Sequence, residues 1–125
     1  MTTTTLKTIS SEFLIMCSKG SVTEAFVNYV GASFIHHNAY YPSDPASLMK
    51  GMVVNAQQFP LMTFEILRLM EDGDLVAVHS KARMTPTAKD YAIAHILRFE
   101  NDRIVEMWDF GQEVPDGMVN EVGMF

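Results

Sequence analysis

The chain has 125 residues, 48% of them hydrophobic and 19% charged, which suffices for one hydrophobic core and is too short for two. Its formal net charge is -6 and its nine Lys and Arg residues are scattered singly, so we expect neither nucleic acid nor an anionic membrane as a partner. Cys17 is the only cysteine, which excludes an intrachain disulfide and a cysteine-rich metal site. We therefore expect residues 1–125 to form a single domain with one site.

The beginning of the sequence, MTTTTLKT, does not look like a secretory signal. It lacks a basic stretch followed by an apolar run and a small-residue cleavage site. No apolar run elsewhere approaches the length that spans a bilayer. Together with the lone thiol, which fits a reducing compartment, these features lead us to expect a cytoplasmic protein.

The first third of the sequence has helical periodicity. Residues 5–19 carry apolar side chains every three or four positions, which predicts an amphipathic helix. Ser21 and Glu24 have the spacing of a capping box, which predicts the beginning of a second helix that ends before Gly31. The segment 33–43 shows neither helical nor alternating spacing, and we expect it to be irregular.

A third helix is predicted from the sequence that follows. Asp44 has the position of an N-cap and Pro45 that of the first helical residue, because proline tolerates this place and presets the backbone angle. Apolar residues continue at helical spacing to about Phe59, where Pro60 ends the helix.

After this helix the period changes from helical to alternating. Four strands in two hairpins are predicted: residues 63–71 with 75–84 around Asp72-Gly73, and residues 91–100 with 103–112 around Asn101-Asp102. The remaining residues, 113–125, are expected to form a polar tail. The sequence therefore predicts an α+β domain in which three N-terminal helices precede a run of antiparallel strands.

The register of the last hairpin can be argued from charges, because directly opposed residues of antiparallel strands share a face. A strict two-residue loop leaves Arg98 and Glu106 without opposite charges across the hairpin. A three-residue loop with Asp102 in the left-handed conformation opposes the two charges instead, and we favour it. Its opposed pairs are Arg98 with Glu106, Phe99 with Val105, Leu97 with Met107, and His95 with Asp109.

Asp109 is the most informative residue of this hairpin, because the favoured register places a carboxylate on a mostly apolar face. A buried carboxylate is costly unless it finds a partner or its pKa rises. With His95 it could form an acid/base pair that abstracts a proton next to a carbonyl group. Alternatively, Asp109 simply accepts hydrogen bonds from the backbone or Trp108, and His95 is a core histidine.

The ten Met and eight Phe residues either fill the core or line a pocket for a bulky apolar ligand.

Other polar residues have two interpretations each. His36, His37 and Asn38 are candidate donors at the pocket mouth, and His37 and Asn38 are alternatively caps of a loop. Trp108 serves packing or recognition, and Gln112 donates to a ligand or ends its strand. His36 and His37 are adjacent, so that in an extended segment they point in opposite directions, and we expect no metal site there.

Four segments of the sequence resemble the SnoaL-like polyketide cyclases of the NTF2-like superfamily. They are FIHHN at residues 34–38, GDLVAVH at 73–79, LRFENDRIVE at 97–106 running into Trp108-Asp109 and Gln112, and GMF at 123–125. The resemblance implies an α+β cone, with three N-terminal helices packed on a curved antiparallel sheet of about four to six strands. It also implies a homodimer formed through the outer sheet surface.

The resemblance further implies an activity. Similar cyclases close a ring by intramolecular aldol condensation without a cofactor, with an Asp as acid/base and a nearby His, which match Asp109 and His95. We therefore expect a cofactor-free enzyme that acts by aldol condensation or isomerisation on an apolar, carbonyl-containing cyclic substrate, and no metal. The substrate-binding residues are expected to be His37, Asn38, Trp108, Gln112, Met107 and Phe99. A non-catalytic module that binds a small molecule or a protein partner is the alternative.

Overall fold

The computed structural model describes residues 5–125 and contains three helices and five strands. In chain order these are α1 (Leu6–Ser18), α2 (Val22–Tyr29), β1 (Val30–His36), α3 (Pro45–Gln58), β2 (Thr63–Asp72), β3 (Leu75–Arg83), β4 (Asp90–Glu100) and β5 (Arg103–Glu113). The strands form one curved, unclosed sheet in the order β1-β5-β4-β3-β2, on which the helices pack. None of the helices within this range is long and apolar enough to cross a bilayer.

Side chains cap the starts of α1 and α3. The Thr5 side chain accepts a hydrogen bond from the Thr8 amide at the start of α1, and Asp44 accepts one from the Ser47 amide at 2.8 Å at the start of α3. Ser21 is the N-cap of α2, but its side chain makes no capping hydrogen bond, so the predicted capping box is wrong. Its own amide instead donates to the Met16 carbonyl at 3.0 Å and closes the turn after α1.

The first strand is missing from the sequence-based expectation. β1 follows α2 directly and pairs in parallel with β5, His36 being opposite Met107, so the sheet is mixed rather than wholly antiparallel. The expected irregular segment is therefore wrong for residues 33–36. The strand lies at the sheet edge, and its burial alternates only near its end. Its partner is about 70 residues away in sequence, so no local turn pattern announces the pairing.

The hairpin between β2 and β3 has a two-residue loop one position later than predicted. Asp72 pairs with Leu75, which leaves Gly73 and Asp74 as the loop. Gly73 has a φ of 62°, in the left-handed region that favours glycine. The Asp72-Gly73 pattern therefore identified the hairpin but not its register.

The hairpin between β4 and β5 combines the two-residue loop at its tip with the register that a three-residue loop would give farther along the strands. At the tip, Asn101 and Asp102 form a two-residue loop with φ values of 51° and 60°, and Phe99 pairs with Ile104. The predicted three-residue loop and the pairing of Phe99 with Val105 are wrong. A β-bulge at Val105 then shifts the register by one residue. Beyond it, the predicted pairs of Arg98 with Glu106, Leu97 with Met107, and His95 with Asp109 are confirmed.

The core lies between the helices and the concave face of the sheet. Phe13 of α1 and Phe26 of α2 meet edge to face, with ring centroids 5.3 Å apart. From the sheet, Leu97 and Met107 have no solvent exposure and Phe99 is 4% exposed. The half of the inner face of β4 and β5 that lies near the hairpin tip is thus buried in the core, and the polar residues on this face stand out.

Candidate active site

The two residues of the predicted acid/base pair lie side by side on the inner face of the sheet. Asp109 of β5 is directly opposite His95 of β4, one step along the strands from the buried pair of Leu97 and Met107. His95 is 8% exposed, whereas Asp109 is partly buried and borders on solvent. The structure therefore places a carboxylate and an imidazole at the edge of an apolar interior.

Asn38, rather than His95, holds the carboxylate in place. The Nδ2 amide of Asn38 donates to both carboxylate oxygens of Asp109, at 3.1 and 2.9 Å. Its Oδ1 accepts a hydrogen bond from the Tyr40 amide at 2.9 Å, which orients the Asn38 side chain. Within residues 5–125, no hydrogen bond joins Asp109 to His95. Asn38 was expected to contact substrate, and in the structure it orients the carboxylate.

His36 organises the loop that carries Asn38. The side chain is buried, and its Nδ1 accepts a hydrogen bond from the Asn38 backbone amide at 3.1 Å. Because that amide can only donate, Nε2 carries the proton and donates to the Pro42 carbonyl at 2.6 Å. Sequence reasoning considered His36 as a donor at the pocket mouth or as a metal ligand. This structural role depends on the position of His36 at the end of β1, a strand that the sequence did not predict. The described part of the chain contains no group of three or more side chains that could hold a metal ion.

The His95 ring is neutral at physiological pH in the folded protein. Burial lowers the pKa of His95 below its ordinary value, because the charged imidazolium would lose its hydration. The negative charge of Asp109 raises this pKa, but by less than burial lowers it. The Nδ1 atom of His95 is buried and has no hydrogen-bond partner among the described residues. The ring is therefore available as a neutral donor or acceptor.

The lowered pKa of His95 predicts a loss of stability on mild acidification. Below the ordinary value of 6.5, the unfolded chain binds a proton on His95 that the folded chain excludes, so the free energy of unfolding rises with pH in this window. The slope for one excluded proton is at most about 1.4 kcal/mol per pH unit. Urea unfolding of wild type and His95→Asn between about pH 5 and 7 measures this slope of the free energy of unfolding against pH. The wild-type slope should be steeper.

The range from about pH 5 to 7 separates the contribution of His95 to the pH dependence of stability from the contributions of the acidic groups. The pKa of Glu106 is lowered by its hydrogen bonds with His37 and Arg98, and that of Asp90 by its hydrogen bond with Arg83. Their stabilisation is lost only as the pH falls below their ordinary values of 4.5 and 3.8. Equal slopes for wild type and His95→Asn above pH ~5 would contradict the assignment of a depressed pKa to His95.

Three of the expected substrate-binding residues lie on the other face of the sheet. Trp108 and Gln112 alternate with Asp109 along β5 and therefore point away from it. The His37 ring stacks on Trp108, with centroids 4.9 Å apart and planes inclined by 8°. Its Nε2 lies 2.7 Å from the Glu106 carboxylate, which also pairs with Arg98 at 2.9 Å. The structure does not bring His37, Trp108 and Gln112 to the carboxylate.

The other two expected substrate-binding residues are on the inner face but belong to the core. Met107 and Phe99 are packed with the helices and have almost no exposed surface. Two surface clefts lie elsewhere, one of about 360 Å³ beside Tyr41 and Lys50 and one of about 420 Å³ beside Lys19 and Phe59. Neither cleft is lined by Asp109 or His95.

Ser80 is a buried polar residue of the inner face that sequence reasoning missed. It lies on β3, has no solvent exposure, and its Oγ has no hydrogen-bond partner within the described residues. The sequence held one indication of it, since Ser80 occupies an inward position in the alternation of β3 between buried Val78 and Ala82.

Comparisons with known proteins agree on the fold. A family profile described as SnoaL-like domain matches residues 14–107. AclR from Streptomyces galilaeus, a candidate hydroxylase, has a similar structure, with a TM-score of 0.73, 18% sequence identity, and coverage of 86% of this chain and 88% of that chain. An NTF2-like protein of unknown function from Cytophaga hutchinsonii gives a TM-score of 0.70 at 14% identity, covering 89% and 93% of the two chains.

A third similar structure is that of a protein named for an enzymatic activity. Wild-type IdmH from Streptomyces antibioticus, a candidate polyketide cyclase, gives a TM-score of 0.65 at 20% identity and covers 82% of this chain and 91% of that chain. Identities this low show a shared fold alone. A search of curated proteins finds no match to the sequence.

Proposed function

The chain belongs to the SnoaL-like domain family, and from this premise we propose that it is a cofactor-independent acid/base enzyme that moves a proton next to a carbonyl group. The observation that carries the proposal is the placement of Asp109 at the edge of the apolar interior, opposite His95 and oriented by Asn38. A carboxylate that is partly desolvated and fixed in direction is suited to act as a general base. The substrate class is an apolar cyclic compound that contains a carbonyl group.

Each residue of the site has a distinct role in this proposal. Asp109 accepts the proton from the carbon next to the carbonyl, and His95, a neutral imidazole, donates a hydrogen bond to the oxygen on which charge develops. Asn38 fixes the orientation of the carboxylate through hydrogen bonds to both of its oxygens. The resulting enolate either attacks a second carbonyl, as in the aldol ring closure that the resemblance to SnoaL-like cyclases implies, or is reprotonated elsewhere, as in an isomerisation.

A non-catalytic binding or protein-interaction module is the second candidate. The filling of the interior by Met107 and Phe99 favours it, because these side chains leave less room for a ring beside Asp109. In that case His95 and Asp109 serve only the structure. The two candidates differ in whether a ketone that is retained by the protein also exchanges its protons.

Deuterium exchange tests the enzymatic proposal without knowledge of the natural substrate. The full chain is incubated in D2O with a mixture of cyclic ketones, and the mass gain of each ketone is measured by mass spectrometry. We expect at least one ketone to gain deuterium next to its carbonyl faster than in buffer. Retention of a ketone without a gain above buffer would favour the binding module.

We also propose that the protein is a cytoplasmic homodimer with an apolar small molecule as its ligand, and that neither nucleic acid nor a membrane is a partner. The homodimer is supported by the outer face of the sheet, where Phe110 is 59% exposed beside partly buried Trp108. An exposed aromatic on a sheet face is the kind of surface that a second copy covers.

A further inference from the structure

Two buried polar atoms on the inner face lack hydrogen-bond partners within residues 5–125. They are the Oγ of Ser80 and the Nδ1 of His95. Ser80 is 0% exposed and His95 is 8% exposed, so both are more than nine-tenths buried. A buried polar atom without a partner costs free energy, so each of these two atoms would gain from a hydrogen bond to a further group.

The strand register brings these two side chains together. On β3 and β4, Val78 is opposite His95 and Ser80 is opposite Ile93. Ser80 and His95 are therefore diagonal neighbours on one face of adjacent strands, which are about 5 Å apart. Asp109 lies on the far side of His95, on the next strand. Ser80, His95 and Asp109 thus follow one another across three strands.

The surroundings of the pair are apolar. Val78 and Leu97 flank it on the inner face and are buried, and Ile93 is partly buried. Hydrogen bonds formed in such surroundings are stronger than in water. The Ser80 hydroxyl donates one hydrogen bond, and a neutral imidazole with its proton on Nδ1 donates another.

We infer that Ser80 and His95 together receive the carbonyl oxygen of the substrate, so that Ser80 is a second, unassigned catalytic donor; this inference rests on the proposed function. As the bond between the neighbouring carbon and its hydrogen breaks, the proton passes to Asp109 and the electron pair forms the new carbon–carbon double bond. The negative charge that reaches the oxygen is stabilised by the two donors. The ligand class is a ketone with an apolar ring.

Two probes of the same shape test the inference. They are α-tetralone and its hydrocarbon counterpart tetralin, which lacks the oxygen. Binding of each to the full chain is followed by NMR of 15N-labelled histidine, in which the His95 Nδ1 signal reports a hydrogen bond. We expect α-tetralone to shift this signal and tetralin to leave it unchanged. Ser80→Ala should weaken α-tetralone binding about fivefold and slow its deuterium exchange about tenfold or more.

The chain offers a matched control for Ser80→Ala. Ser10 is also fully buried, but its Oγ donates to the Leu6 carbonyl at 2.8 Å inside α1. Ser10→Ala makes the same chemical change away from the inner face of the sheet, so it should leave α-tetralone binding and exchange unchanged. A loss of binding that is equal in the two variants would overturn the inference, because it would reflect folding rather than contact with the ketone.

The failure of this inference is distinguishable from that of the proposed function. If deuterium exchange depends on Asp109 but not on Ser80, the proposed role of Ser80 is overturned and the proposed acid/base activity is supported. If α-tetralone binding depends on Ser80 and no ketone of the mixture exchanges its protons, the binding of the carbonyl oxygen by Ser80 and His95 is supported and the enzymatic proposal is overturned. Equal affinity for α-tetralone and tetralin, or no binding of α-tetralone, overturns the proposal that Ser80 and His95 bind the carbonyl oxygen.

Discussion

Replacing Asp109 by Asn should lower the rate of ketone deuterium exchange by about 10²- to 10⁴-fold, the range that a positioned general base contributes. The substitution keeps the size of the side chain and one of the two hydrogen bonds from Asn38, because an amide has a single acceptor oxygen, so the site should stay largely assembled while the base is lost. The measurement is the initial rate of deuterium gain at saturating ketone, together with the midpoint of thermal unfolding. We expect the unfolding midpoint to change little, because Asp109 is only partly buried.

Asp74→Asn is the matched control for this prediction. Asp74 lies in the exposed loop between β2 and β3, far along the strands from the site, so its substitution should leave the exchange rate unchanged. Wild-type exchange in Asp109→Asn would remove the carboxylate from the mechanism. Equal losses in the two variants would point to a general effect of charge rather than to a base.

Replacing Met107 by Ala should destabilise the fold by about 2–5 kcal/mol, as expected for a large-to-small change at a fully buried position. Met107 has no exposed surface and packs with the helices, so the vacated volume can be only partly refilled. Urea unfolding measures the change in the free energy of unfolding. The same substitution also opens space next to Asp109 and His95, since the pair of Met107 and Leu97 adjoins theirs on the inner face.

Met70→Ala is the matched control for this second prediction. Met70 of β2 is 57% exposed, so its truncation should change the free energy of unfolding by no more than about 0.5 kcal/mol. If Met107→Ala is tolerated as easily as Met70→Ala, then Met107 lines a space that is already open, as its expected role in substrate binding requires. If Met107→Ala is strongly destabilised, the main role of Met107 is packing in the core.

The role of Met107 bears on the choice between enzyme and binding module. A core methionine beside the carboxylate limits the size of ring that can approach Asp109. Methionine is, however, flexible and fills irregular gaps, so a ligand can displace it at modest cost. Stronger ketone retention by Met107→Ala than by wild type would show that this side chain restricts the space beside the carboxylate.

Much of the fold was predictable because it depends on neighbours in sequence. The predicted cap at Asp44 is satisfied by a residue three positions later, and helical or alternating spacing reflects which face of each element is buried. The opposition of His95 and Asp109 was equally accessible, since one hairpin and its Arg98–Glu106 pair decide it. The loop geometry was not, because a β-bulge at Val105 satisfies the charges without a three-residue loop.

The sequence by itself determined the α+β class, the main elements and the inward carboxylate, because periodicity and cross-hairpin charges are local. Only the tertiary structure decided that β1 pairs with β5 and that Asn38 reaches Asp109. It also decided that His37 stacks outside on Trp108. These contacts join segments about 70 residues apart, and their formation depends on how the sheet curves and which edges meet. No spacing within a single segment encodes that geometry.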